Sequence, residues 1–142
     1  MKIRIKRLRA DAFLPAYAHG PLEDAGLDLQ AADQTTLAPV VPQLVPTGLA
    51  IELPPAYEEF RPRSGFELKH AITLPNSPAT IDPGYRGEIR VILLNLGKDD
   101  YVVHRGDRIA QMIVARYESV EWEEGELGDS ARGTGGFGSS GR

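Results

Sequence analysis

The feature that most constrains the fold is a succession of short apolar runs separated by turn residues, with almost no helical periodicity. Runs with the length and side-chain alternation of β-strands lie at residues 3–8, 27–31, 44–53, 57–61, 88–96, 101–104 and 108–117. Proline- and glycine-containing pairs that favour turns lie between them. This pattern predicts an all-β domain, which is either a barrel or a distorted jelly-roll sandwich.

One short helix is predicted, from about Ser64 to Lys69. Ser64 is a favourable N-cap, and Glu67 follows three residues later, as in a capping box. Further along, the glutamates around Trp122 indicate a solvated connector that leads into a glycine-rich C-terminus. We therefore predict a β domain over residues 1–124 and a flexible C-terminal arm over residues 125–142.

Composition limits the classes of partner. The 142 residues suffice for one domain with a core. The chain has no cysteine and therefore no disulfide framework, which is compatible with a cytoplasmic location. Its net charge of −4 argues against nucleic-acid binding. No apolar run approaches the roughly 20 residues of a membrane span, and the basic N-terminus is followed by no apolar segment typical of a secretory signal.

The last residues have a composition that suits a phosphate-binding segment. Glycines allow positive φ and expose backbone N–H groups, so such a segment can wrap closely around a phosphate chain. Arg132 adds a positively charged fork, and the Phe137-Gly138 pair offers an aromatic ring for stacking on a base. Glycine-serine termini are more often flexible linkers, so this segment alone leaves both interpretations open.

Two polar blocks lie in the first half of the chain. Asp28 is a carboxylate among apolar residues at the start of a strand, where it either caps a turn or reaches a metal-bound water. Arg63, Ser64 and Gly65 precede the short helix, and they combine a guanidinium, a hydroxyl and free N–H groups in a candidate anion site. An ordinary N-cap with a surface arginine is the alternative.

Two further blocks lie in the second half. The Asp82-Pro83-Gly84 sequence is typical of a β-turn, which is also a rigid platform for a catalytic carboxylate. Gln111 is a polar residue in an apolar strand and therefore needs partners, whether structural or functional. The three histidines have no ligand-like spacing, so a transition-metal site is not expected.

In their order and spacing, these five blocks resemble the trimeric dUTP pyrophosphatase (dUTPase) family, from about Ala25 to the C-terminus. The resemblance implies a distorted β jelly roll, assembled as a homotrimer with shared active sites. The arm of one subunit would close over a site built by the other two. It also implies Mg²⁺-dependent hydrolysis of dUTP to dUMP and pyrophosphate, which limits uracil incorporation into DNA and supplies dUMP for dTMP synthesis.

The resemblance assigns the chemistry of the phosphates to a few residues. Asp82 would orient and deprotonate the water that attacks the α-phosphorus. Ser64, with Arg63 and Gly65, corresponds to the phosphate-binding motif. Gln111 would order waters near the phosphates. Asp28 would contact Mg²⁺ through a water molecule, because the metal is held mainly by the triphosphate.

The same resemblance assigns residues that recognise the nucleoside and close the site. Tyr85 would lie under the deoxyribose and leave no room for a 2′-hydroxyl. Arg132 would contact the γ-phosphate and Phe137 would stack over the uracil, with Gly138 beside it. The residues assigned to the uracil pocket are Asn76, Thr80, Ile81 and Arg90.

Two departures and two alternatives accompany this interpretation. Ala79 occupies a position where glycine is common, and Phe66 replaces a usual leucine. Neither residue belongs to the proposed chemistry.

A related dCTP deaminase would share the fold but place a glutamate base differently in the central hairpin. A non-catalytic nucleotide-binding protein of the same fold is the other alternative.

Overall fold

The computed structural model describes residues 2–55, 57–61 and 63–136, with the backbone alone at 57–61. Short strands dominate this part of the chain, so the prediction of an all-β, jelly-roll fold is confirmed. The strands are β1 (Arg4–Arg7), β2 (Leu27–Gln30), β3 (Thr35–Leu37), β4 (Gln43–Pro46), β5 (Leu49–Glu52), β6 (Tyr57–Arg61), β7 (Ile72–Thr73), β8 (Arg90–Asn95), β9 (Tyr101–Val103) and β10 (Arg108–Arg116).

The strands pair antiparallel in four small sheets. Strand β10 lies between β2 and β6, and β8 lies between β4 and β7. Strands β1 and β5 form one pair, and β3 and β9 form another. Two irregularities in the register of β10 bend this strand, as β-bulges do. The sheets therefore curve around one core instead of extending flat.

The core is made of aliphatic residues from alternating positions of these strands. Leu29, Leu37, Leu49, Leu93 and Ile109 are fully buried within a single cluster. Burying a side chain of this size stabilises the fold by about 1.5–3 kcal/mol. The almost continuously apolar run of residues 89–94 suggests a strand buried on both faces, but β8 alternates. Its inward positions are buried, whereas the positions between them are half-buried or exposed.

The run predicted as one strand over residues 44–53 divides into β4 and β5. The chain turns at Thr47 and Gly48, where Gly48 has a φ of +69°. The Thr47 hydroxyl donates a hydrogen bond of 2.7 Å to the Ile89 carbonyl, and a Cβ at Gly48 would lie 3.0 Å from Ala12 Cβ. Apolar periodicity continues through the break, so the sequence pattern did not reveal it.

Helix α1 (Ser64–His70) is present, but its cap differs from the prediction. Arg63 occupies the N-cap position and makes no side-chain cap, so Ser64 is the first helical residue. The Glu67 carboxylate accepts a hydrogen bond of 2.6 Å from the Thr73 hydroxyl, instead of closing a capping box. Within the described ranges no helix is long and apolar enough to cross a membrane.

The connector after β10 is irregular and exposed. Residues 118–134 are all exposed, and they form neither helix nor strand. Trp122 is 88% exposed and Leu127 is 95% exposed. This segment has no packing of its own within one chain, in agreement with the predicted solvated connector.

Candidate active site

A pocket of about 600 Å³ lies between strands β4 and β8 and the long loop of residues 74–89. We call it the hairpin pocket. Its wall includes apolar side chains, such as Leu44 and Ile92, and a rim of polar groups. Six residues between positions 76 and 90 that the resemblance assigned to the uracil pocket, the deoxyribose and the catalytic base line this pocket, namely Asn76, Thr80, Ile81, Asp82, Tyr85 and Arg90.

Asp82 is presented on a braced turn. The Tyr85 N–H donates a hydrogen bond of 2.9 Å to the Asp82 carbonyl, which closes the predicted β-turn. Arg86 spans the turn, because its Nη1 donates to the carbonyls of Pro83 at 2.6 Å and Tyr85 at 2.8 Å. The Asp82 side chain is exposed, and within the described ranges its carboxylate has no hydrogen-bond partner. The carboxylate is therefore open to solvent at the rim of the pocket.

The ring of Tyr85 lies across Gly87. The Tyr85 hydroxyl donates a hydrogen bond of 3.1 Å to the Glu88 carbonyl, which fixes the ring against the backbone. A Cβ at residue 87 would lie 2.6 Å from Tyr85 Cζ and closer still to the hydroxyl. Only glycine leaves space for the ring in this position. Gly87 is thus a site residue that the sequence analysis missed.

Glu88 is a second missed residue of the hairpin pocket. Its Oε1 accepts a hydrogen bond of 2.9 Å from the Gly48 N–H, and its Oε2 accepts one of 3.0 Å from Arg90 Nε. The carboxylate therefore links the turn between β4 and β5 to the arginine at the pocket wall. The sequence could have indicated this residue, because it follows Gly87 directly at the start of a predicted strand.

The other predicted polar residues meet at strands β2 and β10. Asp28 is nearly buried, and its Oδ1 lies 3.1 Å from Arg63 Nε. These two atoms form an ion pair, but their geometry is not that of a hydrogen bond. Its Oδ2 accepts a hydrogen bond of 3.1 Å from Arg108 Nη1. We call Asp28, Arg63 and Arg108 the arginine cluster. Arg108 was not predicted as a site residue, although it lies on the same strand, β10, as Gln111.

Gln111 lies directly opposite Asp28 in the register of β2 and β10. Its side chain covers Gly26, where a Cβ would lie 3.1 Å from Gln111 Cβ and 3.4 Å from its Oε1. The absence of a side chain at Gly26 gives Gln111 room beside the arginine cluster. Ser64 and Gly65, which follow Arg63, are exposed at the start of α1.

Of the three arm residues predicted to bind nucleotide, only Arg132 lies in the described range. Its Nε donates a hydrogen bond of 2.7 Å to the Gly135 carbonyl, within an exposed turn. Phe137 and Gly138 lie outside the described residues.

The structure thus divides the predicted site residues between two places on one chain. The lining of the hairpin pocket includes neither Asp28 and Gln111 nor Arg63 and Ser64. One chain presents a pocket with a carboxylate in one place and a cationic cluster in another.

The residues present suit a magnesium ion that is held chiefly by its ligand's phosphates. Among the residues that the structure describes, no three carboxylate, histidine or cysteine groups come together as a metal site. Both oxygens of Asp28 face guanidinium groups. Mg²⁺ commonly keeps several waters and is bound through one or two carboxylates together with phosphates, so a direct all-protein cage is not needed.

Comparison with known proteins identifies the family. The sequence model of the family described as dUTPase matches residues 14–141. A deoxyuridine 5'-triphosphate nucleotidohydrolase of Solibacter usitatus (strain Ellin6076) is 68% identical over 143 residues, which cover 100% of this chain and 97% of the relative. A protein of the same name from Gloeothece citriformis (strain PCC 7424) is 53% identical and covers 99% of this chain and 97% of its own.

Solved structures show the same architecture. The dUTPase of Staphylococcus bacteriophage 80alpha with dUPNHPP has a TM-score of 0.88 at 25% identity, over 99% of each chain. A dUTPase from phage phi11 of S. aureus, which coordinates a structural Mg(II) ion, has a TM-score of 0.83 at 21% identity, over 92% of this chain and 100% of its own. The match of the family model across most of the sequence, and the full-length relatives, show that the chain belongs to the dUTPase family.

Proposed function

We propose that this protein hydrolyses dUTP to dUMP and pyrophosphate, and so limits uracil incorporation into DNA while supplying dUMP for dTMP synthesis. The observation that carries the proposal is the hairpin pocket, whose lining includes Asp82 and the five residues predicted for the uracil pocket and the deoxyribose between positions 76 and 90. The names of the full-length relatives and the nucleotide analogue bound by the phage 80alpha enzyme support this substrate.

In this proposal Asp82 is the general base. It accepts a proton from a water molecule as the water oxygen bonds to the α-phosphorus. The bond from the α-phosphorus to the bridging oxygen breaks, and pyrophosphate leaves with the electron pair. The turn braced by Arg86 fixes the backbone that carries this carboxylate, which limits the reorganisation needed before the attack. Ser64 and Gln111 are proposed to orient the phosphates and the surrounding waters.

Mg²⁺ is the proposed cofactor, and it would neutralise charge on the triphosphate and on the leaving pyrophosphate. Mg²⁺ suits this role because it is commonly bound through substrate phosphates together with one or two carboxylates. Contact between Asp28 and the metal through a water molecule stays a prediction. The protein's own cations for the phosphates are Arg63 and, from the arm, Arg132.

The proposed assembly is a homotrimer with shared sites. The separation of the hairpin pocket from the arginine cluster supports it, because a second subunit is needed to bring the two together. The exposed connector also supports a homotrimer, because the apolar side chains of the connector lack packing within one chain. We expect the arm, residues 125–142, to close over a site built by neighbouring subunits.

A second apolar surface offers a place for that connector. A groove of about 530 Å³ is lined by residues that include Ile3, Ile5 and Met112. The groove borders β1, whose described partner is β5 alone and in which basic residues flank Ile5 on both sides. In the connector, Val120 and Trp122 alternate with glutamates. A connector from a second copy would place apolar groups in the groove and carboxylates near the basic side chains.

Substrate assays test the activity. We expect dUTP with Mg²⁺ to yield pyrophosphate and dUMP, whereas dTTP should be excluded because its C5 methyl clashes in a close-fitting pocket. Ammonia release from dCTP would instead identify a deaminase, and nucleotide binding without turnover would identify a non-catalytic protein. Similar catalytic efficiencies on dUTP, dTTP and dCTP would contradict the proposal.

A monomer mass in light scattering at micromolar concentration would contradict the shared sites. We also propose that the protein is cytoplasmic.

A further inference from the structure

The Asp82 turn, which we define as residues 82–85, lies between two openings in the surface. Asp82 lines the hairpin pocket, whereas Pro83 and Gly84 line a second groove of about 850 Å³. The far side of this groove is formed by the start of β1 and by the end of β5 at Glu52. On this side the turn is therefore separated from the nearest strands by open space.

One ion pair crosses the groove. Arg86 Nη2 lies 3.5 Å from Glu52 Oε1, while Arg86 Nη1 donates to the carbonyls of Pro83 and Tyr85. Among the described residues, positions 82–86 make no other hydrogen bond or ion pair with a residue outside the loop of residues 74–89. A single planar guanidinium therefore joins the backbone of the turn to β5.

Glu52 is itself held from the other side. It is the last residue of β5 and stands opposite Arg4 of β1, whose Nη1 donates a hydrogen bond of 3.2 Å to Glu52 Oε2. One carboxylate oxygen thus faces β1 and the other faces Arg86. The first residue of β5 also anchors the loop, because the Ile89 N–H donates a hydrogen bond of 2.8 Å to the Leu49 carbonyl. Strand β5 therefore fixes the loop at its end and, through Glu52, at the turn.

We propose that Glu52 is a positioning residue for the reaction, which acts through Arg86 to set where the turn presents Asp82. This inference rests on the proposed function. A single exposed ion pair adds little to the stability of a fold, so its loss should affect the geometry of the turn more than folding. A displacement of about 1 Å at a reacting group can cost about 100-fold in rate. Without Glu52 the turn is free to move within the groove and away from bound substrate.

The experiment compares Glu52→Gln with Arg4→Gln and with the wild type. Arg4→Gln removes one ion pair of Glu52 but leaves the contact with Arg86, so it is the matched control. We expect the single-turnover rate at saturating dUTP and Mg²⁺ to fall by about three- to tenfold in Glu52→Gln. Its affinity for the α,β-imido analogue of dUTP should be unchanged, and Arg4→Gln should react at the wild-type rate. Both variants should change the melting temperature little.

A double variant tests whether Glu52 acts through Arg86. Arg86→Gln should lose about 10- to 100-fold in single-turnover rate, because the carbonyls of the turn also lose their donor. Adding Glu52→Gln to this variant should cause no further loss, since its partner is already absent.

Amide hydrogen exchange follows the turn without any turnover. The Tyr85 N–H closes the turn by its hydrogen bond to the Asp82 carbonyl, so its exchange reports opening of the turn. In nuclear magnetic resonance of the free protein, we expect this exchange to be faster by about threefold or more in Glu52→Gln. Exchange in Arg4→Gln should match the wild type.

The inference is overturned if Glu52→Gln keeps either the wild-type rate or the wild-type exchange of the Tyr85 N–H. It is also overturned if Arg4→Gln loses as much rate, if analogue binding falls as far as the rate, or if Glu52→Gln has its full effect in the Arg86→Gln background. Failure of the proposed function looks different. In that case the wild type releases no pyrophosphate from dUTP, while exchange at Tyr85 still depends on Glu52.

Discussion

A general base works best on a rigid platform with few competing hydrogen-bond donors. The turn that carries Asp82 is closed by a backbone hydrogen bond and spanned by Arg86, which suits the role proposed for this residue. Asp82→Asn keeps the size of the side chain and removes the base. We expect turnover to fall by about two to four orders of magnitude, the usual contribution of a general base, with binding of the dUTP analogue largely retained.

Single-turnover kinetics at saturating dUTP measure this loss directly. Asp100→Asn is the matched control, since it removes the same charge from the exposed loop between β8 and β9. Near-normal turnover in Asp82→Asn would remove this residue from its assigned role.

Sugar discrimination is predicted to depend on Gly87 as much as on Tyr85. A methyl group at residue 87 would overlap the Tyr85 ring, so Gly87→Ala must displace the ring from the pocket. Overpacking of this kind costs about 1–3 kcal/mol, and we expect the ratio of UTP to dUTP catalytic efficiencies to rise by about tenfold. Gly84→Ala is the control on the same loop, because a Cβ there meets nothing within 4 Å. Equal ratios in the two variants would place discrimination elsewhere.

At the scale of elements, Asn95 joins strands that belong to different sheets. It is fully buried at the end of β8, and its Nδ2 donates to the carbonyls of Leu37 on β3 at 2.9 Å and Asp99 at 2.8 Å. Its Oδ1 accepts a hydrogen bond of 2.8 Å from the Gly97 N–H. Every polar atom of the side chain is therefore satisfied, and the strands depend on one residue for this connection.

Asn95→Ala should leave these backbone groups without their partner. We expect the free energy of unfolding to fall by about 2–4 kcal/mol, because each unsatisfied buried group costs about 1–3 kcal/mol and water compensates in part. Urea denaturation measures the loss. Leu96→Ala, at the exposed neighbouring position, should change stability little. An equal loss in both variants would show that truncation at the end of β8 is destabilising in itself.

The sequence predicted elements where the local signal and the tertiary structure agree. Seven apolar runs correspond to strands, and the helix lies where the sequence placed it. It missed β3 and β7, which have three and two residues and too few side chains for any periodicity. It missed the break at Gly48 because the conformation there depends on contacts with Ala12 and Glu88, distant in sequence. The cap of α1 differed because the helix begins one residue earlier than predicted, and the N-cap Arg63 has no side-chain acceptor for the first N–H groups.

The same distinction applies to the site. Residues on one loop, such as Asp82 and Tyr85, were predicted together and lie together in the hairpin pocket. Arg108 and Glu88 were missed because their roles are set by partners 80 and 40 residues away in sequence. A short sequence motif shows which chemical groups are present. The pairing of β2 with β10 decides which side chains of one motif lie next to those of another.

At the scale of the whole molecule, the arm is predicted to complete a site that the β domain leaves open. Deleting residues 132–142 removes Arg132 and Phe137, and none of the described residues in this range, 132–136, belongs to the core. The fold and the trimer should therefore survive, and the melting temperature and light-scattering mass should be unchanged. A charge-assisted contact and base stacking each contribute about 1–3 kcal/mol, so catalytic efficiency on dUTP should fall by about 10²- to 10⁴-fold.

Fluorescence follows the same closure without deletion. In a Trp122→Phe background, which removes the single native tryptophan, Phe137→Trp places a reporter where stacking is predicted. Binding of the dUTP analogue should move this ring from water to the face of the uracil and change its emission, and the background variant alone should give no signal. Ordering the arm has an entropic cost that phosphate and stacking contacts must offset, so dUMP, which lacks the outer phosphates, should produce a smaller change. If the truncated protein keeps full activity, or if saturation with the analogue leaves the emission unchanged, the glycine-rich segment is a linker and the site must close by other means.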